Sequence, residues 1–172
     1  EALAELVQQR MIYKIKGKGA FVSPKRADLK FVGSTTGSAA DLVGSGRRVM
    51  TRVLRQELAP ASAHEAAALQ IAEADPVVRM RRLRMVDGVP WLLVDTAMPA
   101  ELVPGLERAS LENRSLYETL RRRYGLMPAG ADRWLEALIP PAEEAELLGV
   151  EAGVPVLAIG SIAWRDDGLR FE

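Results

Sequence analysis

The chain has no cysteine, which excludes a disulfide framework and any thiolate-held metal. Histidine occurs once, as His64, and this argues against a histidine-built metal cage or a catalytic triad. No apolar run approaches the roughly 18 residues that a membrane-spanning helix needs. A signal-peptide pattern is also missing at the amino end, where Glu1 and Glu5 interrupt the first apolar stretch. These absences lead to the expectation of a cytoplasmic protein without a membrane partner, a metal or a cofactor. Net charge is absent too, with 23 basic residues against 23 acidic ones. A chain that coats nucleic acid with its whole surface is therefore not expected.

What is present is an ordinary globular composition, 48% hydrophobic and 27% charged over 172 residues, enough for one good core. The charge is unevenly placed. Residues 1–26 hold Arg10, Lys14, Lys16, Lys18, Lys25 and Arg26 against Glu1 and Glu5, a balance of +4, so the remainder carries −4. Such asymmetry predicts a basic module joined to a body with another task.

Leu3, Leu6 and Val7 have helical spacing, so residues 1–9 read as the end of an amphipathic helix that begins upstream. Two short strands, 11–15 and 20–22, follow around "KGKG", where glycines permit a tight turn. "SPKRADLK" then reads as a connection. In the body, Ser62 with Glu65 and Ser115 with Glu118 form two capping-box patterns, and Gly125 is a plausible terminator. "PAEEAELLGV" predicts a third short helix ending at Gly149. Strands are expected at 77–86, 90–97, 133–139 and 155–164, with "VDGVP" as a hairpin turn.

A weak internal repeat runs through this pattern. "EAAALQIAEADPVVRMRRLRMVDG" and "EAELLGVEAGVPVLAIGSIAWRDDG" superpose with a shift of 79 residues, placing Ala66 on Ala145, Leu69 on Leu148 and Pro76 on Pro155. One insertion brings Asp87-Gly88 onto Asp167-Gly168. Two related helix-plus-hairpin units predict an α+β body, a pseudo-symmetric antiparallel sheet with helices packed on it.

Candidate chemistry concentrates on the strand at 77–86. Arg82 and Arg84 share its face with Val78, Met80 and Val86, about 7 Å apart by strand rise. Two guanidiniums at that spacing can hold a phosphate or carboxylate, or they can snorkel from a solvated face. "GSTTGSAADL", before a possible helix, offers hydroxyls and backbone N–H groups that suit an anion, without a phosphate-loop lysine. Ser115 is explained as an N-cap, "RRRY" at 121–124 as a solvated helix face, and Trp91, Trp134 and Trp164 as sheet residues packed under helices. No carboxylate pair or nucleophile–base pair has a persuasive spacing.

"EALAELVQQRMIYKIKGKGAFV" resembles the end of the winged helix-turn-helix domain of GntR-type transcription regulators, through Ala2, Leu3, Leu6, Ile12, Gly17, Gly19, Phe21 and Val22. Arg10 and Ala20 stand where the family commonly has glycine and threonine. "RLRMVDGVP", "SLYETL", "EEAELLGV" and "PVLAI" resemble the UTRA effector domain of the HutC-like branch, whose fold is similar to that of chorismate lyase. The resemblance implies the tail and wing of a DNA-binding domain at 1–24, a linker at 25–30 and an effector domain at 31–172. It further implies a repressor and homodimer, with operator DNA and a phosphorylated sugar or organic acid as partners, and no enzymatic activity. Lys14, Lys16, Gly17 and Lys18 would then contact DNA. Arg82, Arg84, Ser115, Tyr117 and Glu172, with a phosphate-cradling loop at Thr36, Gly37 and Ser38, would hold the effector. Val94 stands where related sugar sensors often carry glutamate, and neighbouring Asp95 points to the other face. Two alternatives stay open: a chorismate-lyase-like enzyme acting on a small acid, and a dimerisation body with a decayed pocket.

Overall fold

The computed structural model describes residues 2–8, 12–22 and 47–172. The linker at 25–30 and the loop at Thr36, Gly37 and Ser38 lie outside the described residues. Near the amino end, α1 (Ala2–Gln8) is followed by a hairpin of β1 (Ile12–Ile15) and β2 (Gly19–Val22). Their register runs antiparallel from Ile12 opposite Val22 to Ile15 opposite Gly19. Lys18 N–H closes the turn on the Ile15 carbonyl at 3.0 Å, and Gly17 adopts the left-handed φ of +79° that such a turn requires.

The body begins with β3 (Val49–Pro60), then α2 (Ala63–Leu69), β4 (Pro76–Val86) and β5 (Val89–Pro99). Two 3-10 turns, at Ala100–Leu102 and Leu106–Arg108, lead to α3 (Leu116–Tyr124), β6 (Gly130–Leu138), α4 (Ala142–Leu148) and β7 (Val156–Trp164). The strands divide between an antiparallel sheet ordered β3-β4-β5 and an antiparallel pair β6-β7, an α+β body. Each helix has a local cause. Ser62 and Glu65 cap α2 reciprocally, and Ala66 and Leu69 bury its inner face. Ser115 accepts from Glu118 N–H at 3.3 Å at the head of α3, and Gly125 ends that helix at φ +66°. Asp87 and Gly88, both at positive φ, form the two-residue turn between β4 and β5.

The repeat is larger than the sequence indicates. Its unit is strand, helix, antiparallel strand: β3-α2-β4 in the first copy and β6-α4-β7 in the second. After β7 the chain turns at Asp167-Gly168 and runs back, with Phe171 N–H donating to Ala163 C=O at 3.0 Å. That return matches the entry into β5 and places Glu172 beside Ala163, whose N–H donates to its carbonyl at 2.9 Å. β3, unforeseen from sequence, holds a bulge between Val53 and Arg55 that shifts its alternation by one residue. Its central "LRQEL" is also built from good helix formers, so neither period nor propensity marks it.

The core lies between the inner face of β4 and α3. Val78, Met80, Leu106, Leu116, Leu120 and Phe171 are all fully buried in one apolar cluster. Trp134 departs from the expectation of a packed sheet residue. It stays about half exposed and lies across the backbone of Gly160, its cross-strand partner, because only glycine leaves room for the indole there.

Candidate functional site

The inner face of β4 is apolar at both ends and cationic in the middle. Val78 and Met80 precede Arg82 and Arg84, and Val86 follows, all with the same facing. Arg82 is 3% exposed and Arg84 5%, so the snorkelling alternative does not describe them. Register sets their neighbours. Val53 and Val94 flank Arg82, while Thr51 and Leu92 flank Arg84. Arg82 donates from Nη2 to Thr96 Oγ1 at 3.0 Å, whereas its Nε and Nη1 are buried without a hydrogen-bond partner. Burial pushes the Arg82 guanidinium below its ordinary value, with partial relief from the charge of Glu172. Arg84 is pushed down to about 10, first by burial and then by the like charge of Arg82.

Two further groups complete the cluster. Tyr117 sits in the first turn of α3, held there by the Ser115 cap and by buried Leu116 and Leu120 on the same helix. Its hydroxyl donates to Glu172 Oε2. Burial raises the Tyr117 hydroxyl well above its usual range, and the adjoining Glu172 charge adds to the effect. The Glu172 carboxyl is likewise raised by burial, opposed by the Tyr117 hydrogen bond and by Arg82, Arg84 and Arg133. Strand β4, helix α3 and the returning chain end thus bring Arg82, Arg84, Tyr117 and Glu172 within electrostatic reach of one another. Arg133 on β6 adds a third positive charge. With one carboxylate among three guanidiniums, this locus favours a negatively charged guest.

The loop before α3 is tied to the same sheet. Asn113 donates its N–H to Thr51 C=O at 2.9 Å, and its side-chain oxygen accepts from Thr51 N–H at 3.1 Å. Glu112 accepts from Val53 N–H at 2.8 Å. The otherwise open edge of β3 is therefore covered beside the two residues that flank the arginines.

Other sequence candidates lie elsewhere or facing away. Ser115 gives its hydroxyl oxygen to the cap at the head of α3, two residues before Tyr117, and lines a hollow with Arg114 and Thr119. Asp95 faces away from Arg82 and forms a two-point ion pair with Arg81 at 2.7 Å. Lys14, Lys16, Gly17 and Lys18 are all exposed along β1 and its turn. Sequence reasoning passed over Thr51, Thr96 and Arg133. Thr96 is two residues beyond Val94 on the same face of β5, so strand alternation held its signal. Thr51 lies on the unforeseen β3, and Arg133 needed knowledge of how β6 meets α3.

A family model described as UTRA domain matches residues 44–172. The chain is 27% identical over 172 residues to the HTH-type transcriptional repressor NagR of Bacillus subtilis (strain 168), spanning all of this chain and 70% of that protein. It is 30% identical over 174 residues to the mannosyl-D-glycerate transport/metabolism system repressor MngR of Escherichia coli (strain K12), covering 100% of this chain and 71% of the relative. Among solved structures, PhnF from Mycobacterium smegmatis superposes with a TM-score of 0.80 at 24% identity, over 99% of this chain and 74% of that one.

Proposed function

Because the chain belongs to the UTRA-domain family of GntR-type transcription regulators, we propose that it is a ligand-responsive repressor whose body binds a small anionic metabolite and thereby changes affinity for operator DNA. One observation carries this. A buried guanidinium with two unpartnered N–H donors is costly, about 1–3 kcal/mol for each unsatisfied group, and an oxyanion removes the deficit. Arg82 and Arg84 hold the charged end of the effector in this reading. Glu172 and Tyr117 accept from and donate to its hydroxyl groups, with Ser115 at the head of α3 and Thr36, Gly37 and Ser38 as further contacts. Val94 presents an apolar wall beside Arg82, which suits a ligand without an ammonium at that point.

The assignment of parts is proposed likewise: 1–24 as wing and recognition-helix end, 25–30 as linker, 31–172 as effector domain. Lys14, Lys16, Gly17 and Lys18 would meet the DNA backbone, positioning the protein without reading sequence. A homodimer fits the paired half-sites that helix-turn-helix proteins read. The effector acts by binding DNA-competent and DNA-incompetent arrangements unequally. The enzymatic alternative finds no support in the named relatives, all of them transcription regulators.

The test is a thermal-shift screen of the chain against phosphorylated sugars and organic acids, beside Arg82→Ala and Arg84→Ala. An effector at 100 times its dissociation constant adds about 2.7 kcal/mol, a plain shift that both variants should lose. Equal shifts in wild type and variants would remove the arginines from the site.

A further inference from the structure

The second repeat brings its own cation to the cluster around Glu172. The shift that places Ala66 on Ala145 also places Arg82 on Ser161 and Arg84 on Ala163. Strand register then sets Val53 of β3 on Arg133 of β6, and Thr51 on Ala131. In the first copy the two rungs read Val53–Arg82 and Thr51–Arg84. In the second they read Arg133–Ser161 and Ala131–Ala163. The arginine has changed strands, from the one after the helix to the one before it, and has kept the inner face. Ala163, buried in the core, and Ala131, packed against it, fix that facing. Asp132 and Glu136 alternate to the opposite face of β6.

Register also places Arg133 relative to Glu172. Ala163 N–H donates to the Glu172 carbonyl at 2.9 Å. Ser161 lies two residues away on the same face of β7, about 7 Å by strand rise. Arg133 stands opposite Ser161, and its charge acts on both Glu172 and Tyr117. The charges acting on Arg84 are those of Arg82, Glu172 and Tyr117. Glu172 and Tyr117 therefore lie between two cationic poles. One is the buried pair on β4, and the other is half-buried Arg133 beside exposed Ser161. A phosphate seated on Arg82 and Arg84 leaves the second pole for a separate acid group. We propose that the effector is a phosphorylated sugar acid, with its phosphate on Arg82 and Arg84, its hydroxyls on Tyr117 and Glu172, and its carboxylate on Arg133 and Ser161. A planar guanidinium with a hydroxyl beside it suits a carboxylate. This rests on the effector reading above and adds to it the second acid group and the residues that select it.

The probes are 6-phosphogluconate, glucose 6-phosphate and gluconate, which carry both acid groups, the phosphate alone and the carboxylate alone. Each is titrated calorimetrically into the chain, Arg133→Gln, Ser161→Ala and Arg84→Ala. Wild type should bind 6-phosphogluconate about tenfold or more tightly than either single-acid compound. Arg133→Gln should abolish that preference and leave the affinity for glucose 6-phosphate unchanged. A merely structural role would weaken both compounds together. Ser161 is exposed, so Ser161→Ala should fold as wild type does. It should lower the preference about threefold, and it keeps the test decisive if Arg133→Gln melts early. No binding of 6-phosphogluconate, affinity equal to that for glucose 6-phosphate, or a preference that survives both substitutions would overturn the proposal. Where glucose 6-phosphate binds, its loss in Arg84→Ala keeps the effector reading even so. Unchanged binding in Arg84→Ala would remove that reading as well.

Discussion

Replacing Arg82 by methionine should make the ligand-free protein more stable while abolishing effector binding. Arg82 is 3% exposed, with Nε and Nη1 buried and unpartnered. Each orphaned donor costs about 1–3 kcal/mol. Against this stand the Thr96 hydrogen bond at 3.0 Å, worth about 1 kcal/mol, and the attraction of Glu172. Methionine keeps an unbranched chain of similar reach among Met80, Val53 and Val94 without a charge to bury. The balance favours the variant by about 1–3 kcal/mol. For a chain of this length that raises the melting temperature by about 2–12 °C. The assay is urea and thermal unfolding of wild type and Arg82→Met without ligand, then with the best compound from the screen. A variant that melts below wild type would refute the reasoning, since Arg82 would then be an ordinary structural residue whose donors are satisfied. A variant that melts higher and still responds to the compound would keep the burial argument and sink the binding role.

Glu65 is held down to about 2, chiefly by its hydrogen bonds to Arg79. A depressed carboxyl contributes stability above its ordinary value near 4.5 and loses it as pH falls towards 2. That window caps the contribution at about 3 kcal/mol, so urea unfolding between pH 5 and 2.5 should show a steeper acid loss in wild type than in Glu65→Gln. Gly160→Ala should destabilise by about 1–3 kcal/mol, because the added Cβ would lie 2.0 Å from the Trp134 indole, which must swing off the strand. Adding Trp134→Ala should relieve most of that loss, and an additive double variant would show that the indole lies elsewhere.

Sequence reasoning reached the helices, the β4-β5 hairpin and the repeat because each is written in short-range terms. Ser62 with Glu65, Ser115 with Gly125, and Asp87 with Gly88 fix backbone geometry within a few residues. β3 escaped for the opposite reason. Its bulge breaks the alternation that marks a strand, and its partner β4 begins 16 residues after β3 ends. Only pairing across that gap makes "VMTRVLRQELAP" extended. The apolar Trp134 was misjudged on the same grounds, since its cover is a glycine on another strand.

The arginine pair shows where local pattern ends. Alternation alone put Arg82 and Arg84 on the face of Val78, Met80 and Val86, yet that face could have been wet or dry. What decides is the residue opposite. Register sets Val53 and Val94 beside Arg82, and Phe171 and Leu116 fill the same apolar cluster, so the guanidiniums lie in a core rather than at a surface. The unpartnered Nε and Nη1 of buried Arg82 are then the informative fact, because a fold gains nothing from donors held away from water without acceptors. Tyr117 and Glu172 reach this locus from α3 and from the returning end of the second repeat, 55 residues apart in sequence. The locus is therefore a product of both repeats and the helix between them. A ligand held there touches all three, which is the arrangement needed for one small molecule to bias the whole body between two states.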